Sequence, residues 1–150
     1  MISLVDEIGL TETGLLPPLV ADYLAGNEKT KPLYKYQPHL QAFAYVVKDK
    51  AKDAINRALL VEVLEEQYAN IPASDLVKQN IKLLAEASTF TVTAAHQPCL
   101  FMGPLYNIYK ISCAVSLSIE LKKEYPAYNF VPVFWMGSED HDKEELCNTN

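Results

Sequence analysis

Two short polar clusters in this 150-residue sequence carry residue types that do chemistry. The first is His96-Gln97, followed by Gly103, Pro104, Tyr106, Asn107 and Lys110. An imidazole and a carboxamide can donate hydrogen bonds there. A helix starting at Gly103-Pro104 would turn its unsatisfied backbone N–H groups toward an anion. Lys110 stands one helical turn beyond Tyr106 and Asn107, on a shared face. The second cluster is Glu139-Asp140-His141-Asp142. Three carboxylates around an imidazole stabilise imidazolium. Such a set suits a general acid/base pair, with His141 and Asp140 as the catalytic candidates. It also suits capture of a substrate ammonium, with Glu139 and Asp142 as binding groups, or a hard-metal site. Each cluster has a plainer alternative. His96 could merely hydrogen-bond the backbone of a β-α turn. The acidic run, continued by Lys143-Glu144-Glu145, could be a solvated helix start.

These groups need elements to hold them. Thr89–Thr93 is β-branched and aromatic, which predicts a strand. A loop from Ala94 to Met102 follows, with Pro104 as the first helical position. The helix runs to Tyr125, where Pro126 prevents continuation. Its first half is apolar almost all round (Leu105, Ile108, Ile111, Val115), so it should pack against a sheet and a second layer. Asn129–Gly137 is a near-continuous apolar run, as in a parallel strand covered on both faces. Pro132 removes a ladder donor and belongs at the strand start or on a non-bonded side. Phe90 to Gly137 is thus a β-α-β unit with room for a crossover. Parallel strands bring both clusters to the C-terminal edge of the sheet, where α/β sheets bind ligands. Cys113 and Trp135 read as core, and Cys99 as a small half-buried residue.

Upstream, residues 1–88 form a helical segment. A short helix from Pro17-Pro18 to Ala25 stops at Gly26-Asn27. Lys29–Pro38 is a loop. His39–Tyr68 is mostly helix, in one piece or two, with the KDKAKD patch at Lys48–Asp53 as the place for a break. Phe43, Val46 and Val47 mark one apolar face; Ile55, Leu59, Val63 and Leu64 mark another. Ser74 caps a helix to about Ala87 that buries Val77, Ile81 and Leu84. Two strands alone leave open edges, so the chain reads as the front part of a longer protein.

The composition excludes several classes. Hydrophobic residues make up 49%, charged residues 21%, and the net charge is -6 without a basic stripe, which argues against nucleic acid as a partner. Three cysteines without a C-x-x-C pair argue against a disulfide framework and a structural zinc site. No secretory signal or long apolar run appears, so no membrane partner and a cytoplasmic location are expected. The G-x-G-x-x-G and G-x-x-x-x-G-K-[ST] phosphate loops are both absent.

Taken together, HQPCLFMGPLYNIYK followed by VPVFWMGSEDHD resembles the cysteine-adding ligases of bacillithiol biosynthesis, the BshC family. DYLAGN, KPLYKY and RALLVEVLEEQY match as well. The resemblance implies an α/β fold whose residues 89–150 begin a Rossmann-like, nucleotidyltransferase-type core. Family members are roughly three times longer and carry a coiled-coil arm used in homodimerisation. The implied reaction joins L-cysteine to the amine of glucosaminyl-malate, with ATP or ADP as the implied nucleotide. His96, Gln97, Gly103, Pro104, Tyr106, Asn107 and Lys110 would line one wall of the cleft, and Glu139–Asp142 the other. The fragment alone is expected to be inactive. A nucleotidyltransferase-like domain with another acceptor and a non-catalytic helical interaction fragment are the alternatives. Ala95 stands where the family usually has glycine, and Lys143 where it has an aromatic residue.

Overall fold

A computed structural model of the chain describes residues 8–9, 12–99 and 103–138. They form two compact units, residues 1–46 and 47–150. The expected boundary at residue 88, between helices and strands, falls inside the second unit.

In the first unit, helix α1 (Pro18–Leu24) has proline at its first position, where the missing N–H costs nothing. Gly26, at φ +68°, ends it. A short 3-10 turn at Lys31–Leu33 punctuates the loop that follows. Thr30 is buried and donates to the Asn27 carbonyl at 2.8 Å. Tyr23 and Tyr34 meet edge to face, with ring centroids 4.8 Å apart.

Helix α2 (Phe43–Lys50) runs across the division between the units. Of the two readings, one helix or two, the structure has two: the chain breaks at the charged patch, and α3 (Arg57–Tyr68) restarts beyond it. Asn56 caps α3 by accepting from the Leu59 N–H at 3.1 Å. Ile55 lies outside the helix, and Ile55, Leu59 and Val63 are exposed. The stripe read there as a buried face is therefore uncovered among the described residues. Helix α4 (Asp75–Leu83) begins at Ser74, whose hydroxyl accepts from the Val77 N–H. It ends four residues before the expected Ala87, in turns through Glu86. Ile81 and, at its C-cap, Leu84 are buried as the spacing predicts, while Val77, the third residue read on that side, is only partly buried.

Strands β1 (Thr89–His96) and β2 (Asn129–Met136) pair in parallel, with Thr89 opposite Asn129 and His96 opposite Met136. Helix α5 (Leu105–Glu124) connects them and packs on both. This is the β-α-β unit read from the change in periodicity. Pro132 sits mid-strand opposite Val92, not at the strand start. A strand tolerates it there because successive residues aim their N–H groups to opposite sides.

The core lies at the N-terminal end of the sheet. Leu121 is fully buried, and Thr89, Val131 and Ser118 are nearly so. Arg57 donates to the carbonyls of Leu84 at 2.9 Å and Thr89 at 3.1 Å, tying α3 to the end of α4 and the start of β1. Lys122 donates to the carbonyls of Pro126 and Tyr128 and to Asn129 Oδ1, all within 3.1 Å. Three acceptors match the three N–H bonds of an ammonium, so this lysine closes the α5–β2 corner. Asn129 in turn donates to Glu86 at 2.9 Å.

Farther along the sheet the picture reverses. Phe134, Trp135 and Met136 are exposed, as are Leu105, Ile108, Ile111, Val115 and Ile119 of α5. Trp135 is therefore not core, and the second layer expected over α5 is absent among the described residues. Cys113 is likewise exposed instead of core. It lines an open groove of about 270 Å³ beside Val92, Ala94 and Leu117. No described helix is long and apolar enough to cross a membrane.

Candidate functional site

The first polar cluster assembles where β1 gives way to α5. β1 runs three residues past the expected Thr93, so His96 is the last strand residue and not part of the loop. Its neighbours on the ladder hold its backbone: the Gly137 N–H donates to the His96 carbonyl at 2.9 Å. The imidazole is engaged on both nitrogens. Nδ1 lies 2.9 Å from the Gln97 carbonyl and Nε2 lies 2.7 Å from the Tyr106 hydroxyl. A carbonyl only accepts, so the hydrogen-bond network assigns the proton to Nδ1. Nε2 is then the acceptor, and Tyr106 is the donor. The plain reading of His96 as a backbone-bonded turn residue accounts for one nitrogen only.

Cys99 adds to this arrangement. Its Sγ is 3.2 Å from His96 Nδ1 and 3.3 Å from the Gln97 carbonyl. The thiol S–H points at the same carbonyl, and its lone pairs face the Nδ1 proton. The residue is half-buried, as read from the sequence. Its contact with the imidazole was not foreseen, although three-residue spacing across a tight turn is the pattern that brings such side chains together.

Gly103 makes the turn into α5. Its φ is +66°, and a Cβ there would stand 2.5 Å from Cys99 Cβ and 2.8 Å from its Sγ. Both the backbone conformation and the space demand glycine. Pro104 is the N-cap, one residue before the helical position expected for it. It offers no side-chain cap, and its carbonyl accepts from the Asn107 N–H at 2.9 Å as the first turn closes. Asn107 is buried at 8% exposure beneath the turn. Lys110 donates to the Ala95 carbonyl at 3.2 Å, and its ammonium lies 5.2 Å from the Tyr106 ring centroid. Gln97 contributes to the cluster through its carbonyl.

His96, Gln97, Gly103, Tyr106, Asn107 and Lys110 therefore do come together, around a half-exposed Tyr106. Glu139, Asp140, His141, Asp142 and Cys147 lie outside the described residues. The register leaves β1 and β2 level at this edge, with His96 opposite Met136. No group of three metal-binding side chains occurs among the described residues.

A parallel β-α-β unit with polar side chains gathered at its C-terminal edge defines a Rossmann-like α/β domain. The comparisons name which one. Residues 4–150 match the model of the N-terminal Rossmann-like domain of the bacillithiol biosynthesis protein BshC, and the chain belongs to that family. It is 48% identical over 143 residues to a Flavobacterium johnsoniae protein named "Putative cysteine ligase BshC", covering 94% of this chain and 27% of that protein. Proteins of the same name from Flavobacterium psychrophilum and Bacillus thuringiensis are 43% and 34% identical, over 97% of this chain and 28% and 26% of theirs. The chain thus spans about a quarter of the length of the curated relatives it matches. They are nearer four times its length than the threefold expected from the resemblance.

Proposed function

We propose that this chain supplies one wall of the active site of a ligase that joins L-cysteine to the amine of glucosaminyl-malate, the last step toward bacillithiol. The observation that carries the reading is the cluster of His96, Tyr106 and Lys110 at the C-terminal edge, at the mouth of an uncapped helix. The relatives' shared name supports it. The ligase works as the complete protein, and the coiled-coil arm of its remainder makes it a homodimer.

The donor set fits an anionic group. An ammonium at Lys110 and the leading N–H groups of α5 favour phosphate or carboxylate. Lys110 and the Gly103–Asn107 turn would hold the phosphates of ATP or the carboxylate of cysteine. ATP would supply activation of that carboxylate. Glu139 and Asp142 would hold the ammonium of the acceptor sugar, and His141, with Asp140 as the second catalytic candidate, would take the proton that turns the ammonium into a nucleophilic amine. Holding the two partners together removes much of the entropic barrier.

The test is incubation of the complete protein with L-cysteine, glucosaminyl-malate and ATP, with mass spectrometry of the product. The reading expects an amide that requires all three. His141→Asn should lower its formation by about 100-fold or more. Unchanged formation would remove His141 from the mechanism, and no amide under any condition would sink the ligase reading.

A further inference from the structure

We propose that Tyr106 and His96 form a proton relay in which the phenol oxygen of Tyr106 takes a proton from the attacking nitrogen. The inference rests on the ligase reading for its substrate and on geometry for everything else. Amide formation from an ammonium releases two protons. One leaves before attack, when the ammonium becomes an amine. The other leaves after attack, when the nitrogen has bonded to the carbonyl carbon and still carries a positive charge. The relay takes this second proton.

The hydrogen-bond directions make the relay one-way. Nδ1–H of His96 is committed to the Gln97 carbonyl at 2.9 Å. Nε2 therefore accepts from the Tyr106 hydroxyl at 2.7 Å. With its own proton directed at the imidazole, the phenol oxygen presents lone pairs outward, on a side chain that is 50% exposed. A proton arriving at that oxygen displaces the phenol proton onto Nε2. A neutral phenol oxygen is a far weaker base than an imidazole nitrogen, so the proton comes to rest on His96 and tyrosine is only the conduit. The C–N bond forms with the nitrogen's electron pair, and the leaving group departs with the pair of its bond to the carbonyl carbon. The nitrogen's proton moves to the phenol oxygen, and the phenol's proton moves to the imidazole.

The surroundings fit a histidine that becomes positive. Once protonated, its Nδ1–H faces the Gln97 carbonyl and the Sγ of Cys99 at 3.2 Å, both electron-rich acceptors. The Lys110 ammonium, 5.2 Å from the Tyr106 ring centroid, is a like charge that opposes a lasting imidazolium and so favours its discharge after each turnover. The same two acceptors fix the imidazole's rotation, so Cys99 and Gln97 are positioning groups.

Two measurements test the relay, and only one depends on the reaction. In ¹⁵N-labelled protein, the imidazole nitrogens of His96 should report a neutral ring protonated at Nδ1. Tyr106→Phe, which removes one exposed oxygen, should shift Nε2 with the fold intact. A ring protonated at Nε2 would overturn the relay whether or not the protein is a ligase. In the complete protein, Tyr106→Phe should lower kcat for amide formation by about 100-fold with KM little changed. His96→Gln should match it. Amide formation within twofold of wild type in Tyr106→Phe would overturn the relay and leave the ligase reading standing.

Discussion

The two ends of one β-α-β unit are built differently. At the N-terminal end of the sheet, side chains are buried and the polar groups are matched. Leu121, Thr89 and Val131 fill the interior, while Arg57 and Lys122 satisfy backbone carbonyls at the corners. At the C-terminal end, Phe134, Trp135 and Met136 are exposed and the polar groups converge on His96 and Tyr106. Stability is concentrated at one end, and side chains that could meet a ligand at the other. α/β sheets bind ligands outside the carboxyl ends of their strands, and this chain gathers its polar cluster at that end.

The difference can be broken from either side. The largest effect is expected from Leu121→Ala, which empties a fully buried site and should cost about 2–5 kcal/mol in urea unfolding. Trp135→Ala, at 59% exposure, should change unfolding by no more than about 0.5 kcal/mol. Equal losses would mean that the two ends are not distinct. Gly103→Ala comes next. It forces a Cβ into Cys99 and into a φ of +66°, at roughly 1–3 kcal/mol. The His96–Cys99 contact should disappear from nuclear magnetic resonance spectra with it. Cys99→Gly in the same chain should relieve the clash but not the backbone strain, so recovery should be partial. The smallest effect is expected at Lys31. Glu28, hydrogen-bonded to it, raises the ammonium's pKa. A raised lysine pKa stabilises the fold at every pH below the ordinary lysine range and is lost as the pH rises through the raised value. The pair is exposed and screened, so Lys31→Met should leave the melting temperature unchanged at neutral pH.

Much of this was legible in the residues. The switch from helical to strand periodicity at Thr89 located the sheet, and the KDKAKD patch located the helix break. Ser74 announced a cap. The Tyr106–Lys110 spacing placed both on one helix face. What failed was burial. Cys113, Trp135 and the apolar flank of α5 read as core because their residue types favour an interior. Local sequence shows that a face is apolar but not whether another layer covers it. His96 was placed in the loop because Ala94 and Ala95 carry no strand signal; the ladder with Phe134 and Trp135 extends β1 through them. The Cys99 contact depends on a positive φ at Gly103, a tertiary detail that residue types alone do not reveal.

The central claim is that ligands meet the open end of this unit. Backbone amide shifts during titration with ADP test it most directly. The account predicts changes clustered at His96, Gln97, Leu105–Asn107 and Lys110, with Thr89, Leu121 and Val131 unmoved. Changes confined to the closed end, or no change anywhere, would contradict it.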